Sequence, residues 1–177
     1  MIKTILPFTL ARKETNLMTE NLYSDSIRTY TGKYVDVFSP TPDMICIEDI
    51  AHALSNTPRF GGHLKHFYSV AQHSLSCAEC IDEYKLEALL HDASEAYLTD
   101  MPSPIKKRMP QYKEVEDGLM KVIAEKFGFQ YPLPDEVHRT DKQMLDSEWR
   151  LLVLMNVNLT ENVEKIFLET YKELKRI

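Results

Sequence analysis

The stretch ALLHDASEAYLTDMPSPIK, residues 88–106, places His91, Asp92 and Glu95 within five positions and follows them with Asp100 and Lys106. An imidazole beside a carboxylate is a mixed nitrogen and oxygen donor pair that suits a divalent transition metal. A carboxylate one helical turn later could take a proton from water, and a lysine could offset phosphate charge. The same residues also describe the wet face of an amphipathic helix running into a proline-fixed loop. The dipeptide does not separate the two readings, because His-Asp arises by chance in chains of this size.

The elements that must carry these groups are read from hydrophobic spacing. Over residues 84–98, Leu86, Leu89, Leu90, Ala93, Ala96 and Tyr97 form an apolar stripe, which predicts a helix. At about 100° per residue, His91, Asp92 and Glu95 share one arc on its other side. Residues 63–81 place Leu64, Phe67, Ala71, Leu75 and Ala78 on one stripe. His73 lies on that helix between Val70 and Cys77, so both of its sides are apolar and the helix is expected to be buried. A histidine there is either a satisfied core residue or a ligand.

In DEVHRTDKQMLDSEWRLL, residues 135–152, Asp141 shares a stripe with Val137, Met144, Leu145 and Leu152 and is expected to be buried. A carboxylate taken out of water is costly unless paired, hydrogen-bonded or bound to metal. An arginine or backbone partner would satisfy it as well as a metal would. Glu148, on the same face, could be a structural acid of that kind. Two histidines and two aspartates do, however, make one coherent donor set for a divalent cation.

Composition narrows the classes. A chain of 177 residues that is 44% hydrophobic and 27% charged has the length and balance of one globular domain with a real core. A net charge of −6 argues against binding nucleic acid by phosphate neutralisation but leaves room for a small phosphorylated substrate held by a few local cations. No run approaches the roughly 20 apolar residues of a membrane span. MIKTILPFTLARKE is interrupted by Pro7 and has no small-residue cleavage site after it, so a cytoplasmic protein is expected. Met18 opens a second plausible start, which would make the first 17 residues an extension. Cys46, Cys77 and Cys80 cannot build a disulfide framework. Cys77 and Cys80 form C-x-x-C without the further soft ligands of a zinc site or the preceding strand of a redox site, and read as helix-packing residues.

The expected architecture is mainly α. Residues 1–29 are read as an N-terminal extension and residues 30–177 as a single domain, with a hairpin over about 30–49 and a helical core over about 50–177. The hairpin is expected around the Ser-Pro-Thr-Pro turn of YTGKYVDVFSPTPDMICIED. KEVEDGLMKVIAEKFG predicts a helix with Val115, Leu119, Val122 and Phe127 inward and Gly128 as its stop. Residues 135–154 predict another, and a last one begins after Thr160, a good N-cap residue, running through Val163, Ile166, Phe167 and Leu174. The connections suit a compact bundle.

SVAQHS, LLHDASEAYLTDMPSPIK and RTDKQML together resemble the His … His-Asp … Asp signature of the HD-domain phosphohydrolases. The likeness covers about residues 57–152. It is greatest to small bacterial and phage HD 5′-deoxynucleotidases and dATP triphosphohydrolases, and PRFGGH precedes the first histidine at the distance seen there. The resemblance implies an HD-domain helical bundle and one divalent metal cation (Mn, Co, Mg, Ni, Fe or Zn) held by His73, His91, Asp92 and Asp141. It implies that Glu95 is the catalytic acid, with Asp100 near the attacking water or the sugar. Arg59 matches an arginine near the phosphate or ribose, and Lys106 a phosphate-contacting lysine. Phe60 stands where the nucleotidases carry tryptophan, and His63 would line the pocket.

These expectations form one chemistry. A cation activates water and polarises a phosphoryl oxygen, Glu95 takes the water's proton, and Arg59 with Lys106 stabilises the growing phosphate charge. Without the resemblance, Lys106 opens a basic KKR that reads as a solvated surface and Arg59 as a loop residue. The expected function is removal of phosphate from deoxynucleoside 5′-monophosphates. The alternatives are a deoxynucleoside triphosphate triphosphohydrolase and, from another class, a non-catalytic metal- or nucleotide-binding module. The expected partner is a small (deoxy)nucleotide, with no nucleic acid or membrane; a homodimer or higher homo-oligomer is implied by the resemblance alone.

Overall fold

The computed structural model describes residues 25–159 and 162–176. It is mainly helical, with one small antiparallel hairpin near its N-terminal end. Most of the expected N-terminal extension, the alternative start at Met18 and the Thr160 cap lie outside the described residues.

The hairpin is shorter and earlier than the alternation around Ser-Pro-Thr-Pro predicts. Strand β1 is Ile27–Arg28 and β2 is Tyr34–Val35, with Ile27 opposite Val35 and Arg28 opposite Tyr34. The chain reverses at Thr29–Lys33, where Gly32 takes φ 86°, a region glycine enters without a Cβ penalty. Pairing stops after Val35 because Asp36 turns the chain, accepting from the N–H groups of Phe38 (2.9 Å) and Ser39 (3.2 Å). Pro40 and Pro42 have no N–H with which to resume a ladder. Val35, Val37 and Ile45 are nonetheless buried, so the segment serves the core without being a sheet.

Helix α1, Ile47–Asn56, receives the hairpin through the buried Asp49. Its carboxylate accepts from the Thr31 N–H (2.7 Å), the Thr31 hydroxyl (2.9 Å) and the Cys46 thiol (2.9 Å). Helix α2 is Val70–Glu79, and residues 63–69, expected to be helical, are a loop in which Phe67 is exposed. The helix starts late because Ser69 caps it: its hydroxyl accepts from the Gln72 N–H while the Gln72 side chain accepts from the Ser69 N–H. That reciprocal box satisfies two end donors and stops extension backwards. As expected, α2 is apolar on both sides, and it packs against α1 and three later helices at the centre of the domain.

Those neighbours are α3 (Lys85–Leu90), α7 (Asp135–Glu148) and α8 (Val163–Leu174), which buries Phe167 completely. The expected helix over 84–98 is not continuous. After α3 the backbone tightens to i→i−3 bonds, with the Ala93 N–H on Leu90 and the Glu95 N–H on Asp92, both 3.0 Å, before the short α4 (Glu95–Leu98). Short α5 is Ser103–Lys106. Helix α6, Pro110–Phe127, ends at Gly128 as expected, in the left-handed region at φ 67°, and Lys175 donates to the freed Phe127 carbonyl at 2.9 Å. Past Glu148, α7 widens into π turns over Trp149–Leu154, where the sequence predicts plain α-helix. Helix α8 has Asn162 at its N-cap position. Cys46, Cys77 and Cys80 are free thiols. Among the described residues no helix is long and apolar enough to cross a membrane.

Ser69 positions the helix that carries His73, so its cap is a direct test of the packing. Ser69→Ala should lower stability by about 1 kcal/mol, a fall in Tm of roughly 2–4 °C for a domain of this size. Thermal unfolding followed by circular dichroism reads it.

Candidate metal centre and its cavity

His73 is fully buried on α2. Its Nδ1 lies 2.7 Å from a Glu148 carboxylate oxygen, which can only accept, so Nδ1 carries the proton and Nε2 presents a lone pair. His91 sits in the tightened turn after α3, and its Nδ1 is 2.7 Å from the Ala88 carbonyl oxygen. The same reasoning puts a proton on its Nδ1 and leaves Nε2 as the nitrogen turned toward the centre. The two Nε2 atoms then face one another at 3.2 Å.

Two carboxylates close the group. Asp141 Oδ1 from α7 is 3.1 Å from His73 Nε2 and 3.8 Å from His91 Nε2. Asp92 Oδ2 is 3.2 Å from His91 Nε2 and 3.8 Å from His73 Nε2. With both Nδ1 protons held by outer partners, two Nε2 atoms and two carboxylate oxygens point at one small volume. That arrangement repels itself unless protons or a cation occupy it. Bonds of about 2.0–2.2 Å to one first-row metal place neighbouring ligand atoms roughly 3 to 3.5 Å apart; the separations of 3.1, 3.2 and 3.2 Å fall in that range and the two of 3.8 Å lie just beyond it.

A third soft donor lies beside them. Cys77, one turn after His73, has its Sγ 3.6 Å from His73 Nε2. The buried group His73, Cys77 and His91 brings its ligand atoms within 4.8 Å of one another and could hold a metal ion. Burial and the nearby Asp141 and Asp92 push the Cys77 thiol far above its usual range. Cys80, its C-x-x-C partner, is exposed at the end of α2.

The electrostatics follow from this crowding. Burial alone would lower the His91 pKa, but Asp92 and Asp141 more than reverse it and hold it well above the ordinary value. Burial alone would raise both aspartates, yet the imidazoles hold them well below the carboxylate range. Asp141 departs from expectation in one respect: its side chain is 42% exposed, so it stands at the mouth of the centre.

Arg59 is buried beneath the centre. It donates to Glu148 from Nε (3.1 Å) and Nη2 (3.0 Å), with Nη1 3.7 Å from Asp92. Glu148 also accepts from the Tyr68 hydroxyl at 3.0 Å, so it is the structural acid expected of it, and it orients a ligand histidine as well.

A cavity of about 380 Å³ opens beside the four donors and gathers most of the remaining candidates. Asp92, Asp141, Arg59, Phe60, Glu95, Asp100 and Lys106 all line it. Glu95 is 5% exposed and its Oε2 has no hydrogen-bond partner. Burial first, then Asp92 and Asp100, raises its pKa well above the ordinary value. Burial also raises Asp100, which follows Thr99 at φ 67°, ψ 156°, a region strained for any residue but glycine. Lys106 reaches within 3.9 Å of Glu95 and forms an ion pair with Glu116 of α6. His63 is exposed at the end of the Phe60–Gly62 turn and is not among the lining residues, contrary to expectation. A larger hollow of about 500 Å³ lies by Lys65, His66 and Asn162, away from these acids.

Sequence reasoning passed over Cys77 as a donor, Glu116 as the partner of Lys106, and Trp149 as a lining residue. The four-residue spacing of His73 and Cys77 was a usable signal. The other two depend on contacts between α5 and α6 and at the end of α7, which spacing does not show.

The fold and site thus define a mainly helical protein with a buried His/Cys/His group able to hold a metal. No family model matches the chain. It is 45% identical over 129 residues to the uncharacterized protein YfdR of Escherichia coli, covering 72% of each chain. An uncharacterized protein of Rhodobacter capsulatus is 37% identical over 126 residues, which span 65% of this chain and 64% of that one. The chain belongs to the YfdR family.

If Glu148 sets the His73 tautomer, Glu148→Gln should weaken divalent-metal binding about 10- to 100-fold, the usual effect of losing such an outer partner. Calorimetric titration with Mn²⁺ measures it. Protons compete for the same Nε2 atoms, and His91 binds its proton unusually tightly in the metal-free protein. Metal affinity should therefore be lower at pH 6 than at pH 8.

Proposed function

We propose that this protein is an HD-superfamily metal-dependent phosphohydrolase that removes phosphate from deoxynucleoside 5′-monophosphates. The observation that carries the reading is the meeting, at one cavity, of four converging donor atoms and the buried carboxyl of Glu95, whose Oε2 has no hydrogen-bond partner. A buried carboxyl with an unsatisfied oxygen is costly, and active sites are where such groups persist. A purely metal-binding or sensing module has no use for it.

His73, His91, Asp92 and Asp141 would hold one divalent cation, with Cys77 as an adjacent thiol. The bound ion would lower the pKa of water and draw charge from a phosphoryl oxygen. Glu95 takes the proton of the attacking water as its oxygen bonds to phosphorus. The phosphorus–oxygen ester bond then breaks, and the sugar oxygen leaves with a proton that Asp100, its carboxyl raised by burial, is placed to supply. Arg59 and Lys106 face the charge that accumulates on the phosphate.

The same cations favour a monophosphate over a triphosphate. Arg59 is already bound to Glu148, and Lys106 to Glu116. Four acids, Asp92, Glu95, Asp100 and Asp141, line the same cavity. One divalent ion offsets only part of this acidity, so each further negative charge on the substrate is opposed, and a triphosphate more than a monophosphate.

Turnover of a panel of deoxynucleoside mono- and triphosphates with Mn²⁺, Co²⁺, Mg²⁺ or Ni²⁺ tests the reading. Inorganic phosphate from the monophosphates is expected; triphosphate release would favour the dATP triphosphohydrolase alternative, and no turnover of either class would overturn the reading. Glu95→Ala should leave metal content intact and lower kcat by about 10²- to 10⁴-fold. Because the raised Glu95 pKa must be passed before the base is free, kcat/KM should rise with pH through a value well above that of an ordinary glutamate.

A further inference from the structure

The cavity beside the donors is mixed in character: besides the acids and cations above, the apolar side chains of Phe60, Met101, Leu145 and Trp149 line it. Trp149 is the only tryptophan in the sequence and remains 51% exposed although it lines the cavity. Its ring lies 6.1 Å from that of Phe60 at 50°, so the two aromatics form a corner rather than a closed stack. Trp149 keeps ring surface free for a further flat group, whereas the Arg59 guanidinium lies over the Phe60 ring, 5.7 Å from its centroid.

Both rings are set there by backbone departures from the ordinary. Phe60 is a non-glycine residue at φ 55°, followed by Gly61 at 61° and Gly62 at 75°. Positive φ at a bulky residue costs free energy and persists where the surroundings require it, often at ligand clamps. Trp149 opens the π segment directly after Glu148, and widened turns of this kind recur at functional sites. The residue that locks His73 is therefore the immediate chain neighbour of a ring that lines the cavity.

We propose that Trp149 is a specificity residue of this site, stacking on the planar base of the substrate while the phosphate lies beside the acids and cations. Phe60 forms the second wall. The inference rests on the reading that the neighbouring centre cleaves a phosphate ester, and it deepens it. The site selects esters that carry an aromatic base, and a sugar phosphate without one loses the apolar half of the contact.

The single tryptophan allows a test that does not depend on turnover. In the full-length Glu95→Ala protein with Mg²⁺, deoxyadenosine 5′-monophosphate should change the Trp149 fluorescence saturably, and 2-deoxyribose 5-phosphate should not. In the active protein, Trp149→Ala should raise KM for the nucleotide about 5- to 150-fold, the range expected for loss of one base–aromatic stack. The loss should be larger for the nucleotide than for 2-deoxyribose 5-phosphate, and Trp149→Phe should restore most of it. An equal loss for both substrates, or no fluorescence response to the nucleotide, would overturn the proposal while leaving the phosphohydrolase reading intact. Absence of turnover by the unsubstituted protein, with the fluorescence response present, would instead overturn the phosphohydrolase reading and keep Trp149 as a base platform.

Discussion

The structure depends on one buried carboxylate. Glu148 is 3% exposed, and such a group is tolerated only when donors replace the water it has lost. Arg59 supplies two, Tyr68 one and His73 one. These donors come from the loop before α2 and from α2 itself, whereas Glu148 ends α7. Satisfying one acid therefore ties α7 to the centre of the domain. It also fixes which nitrogen of His73 is bare, and so whether that histidine can be a ligand at all.

The second constraint is the tightened turn after α3. In a regular helix the Ala88 carbonyl would accept from the Asp92 N–H; here it accepts from the His91 ring Nδ1 at 2.7 Å. Bonds of i→i−3 type at Ala93 and Glu95 wind the backbone closer than an α-helix does. His91 is drawn toward His73, Asp92 stays half-buried beside it, and Glu95 is carried inside. Ring orientation and backbone winding are thus two aspects of one local choice. Tyr112 of α6 steadies the far side, donating to the carbonyl of the strained Thr99 at 2.9 Å.

This turn marks where sequence reasoning about the site ran out. Spacing at 3.6 residues put His91, Asp92 and Glu95 on one polar arc, but the arc faces a cavity rather than bulk water, and a periodicity carries no such label. Long, strongly patterned elements were legible: α6 with its Gly128 stop, the doubly apolar α2, and α8 with Phe167 inward. Elements decided by a few polar atoms were not. Ser69 and Gln72 outbid the apolar stripe that ran back to Leu64, and the Asp36 turn displaced the hairpin from Ser-Pro-Thr-Pro. Asp141 was singled out because an acid on an apolar stripe requires an explanation. It meets both histidines, although its exposure at the cavity mouth does not match the burial expected. Glu116 and Trp149 carried no anomaly in sequence, since an acid and an aromatic on helices are ordinary until a neighbour is known.

Under the proposed function, the placement of charge would let an acidic chain offer a phosphate a site. The net charge of −6 is a property of the whole surface, and screening confines its reach to about 10 Å at ordinary ionic strength. Within the cavity the balance is local. Arg59 is buried against Glu148 and Asp92, and Lys106 is held between Glu116 and Glu95, so neither can swing away into solvent. Their side-chain freedom is already spent on folding, and they meet an incoming anion without further ordering. The acids that hold them in place also weaken their field. A divalent cation among His73, His91, Asp92 and Asp141 would neutralise part of that acidity and restore the pull of both cations on a phosphate. By this logic the centre and the cations are not two independent contributions to binding: the affinity of the cavity for anions is set by whether the four-donor centre is charged.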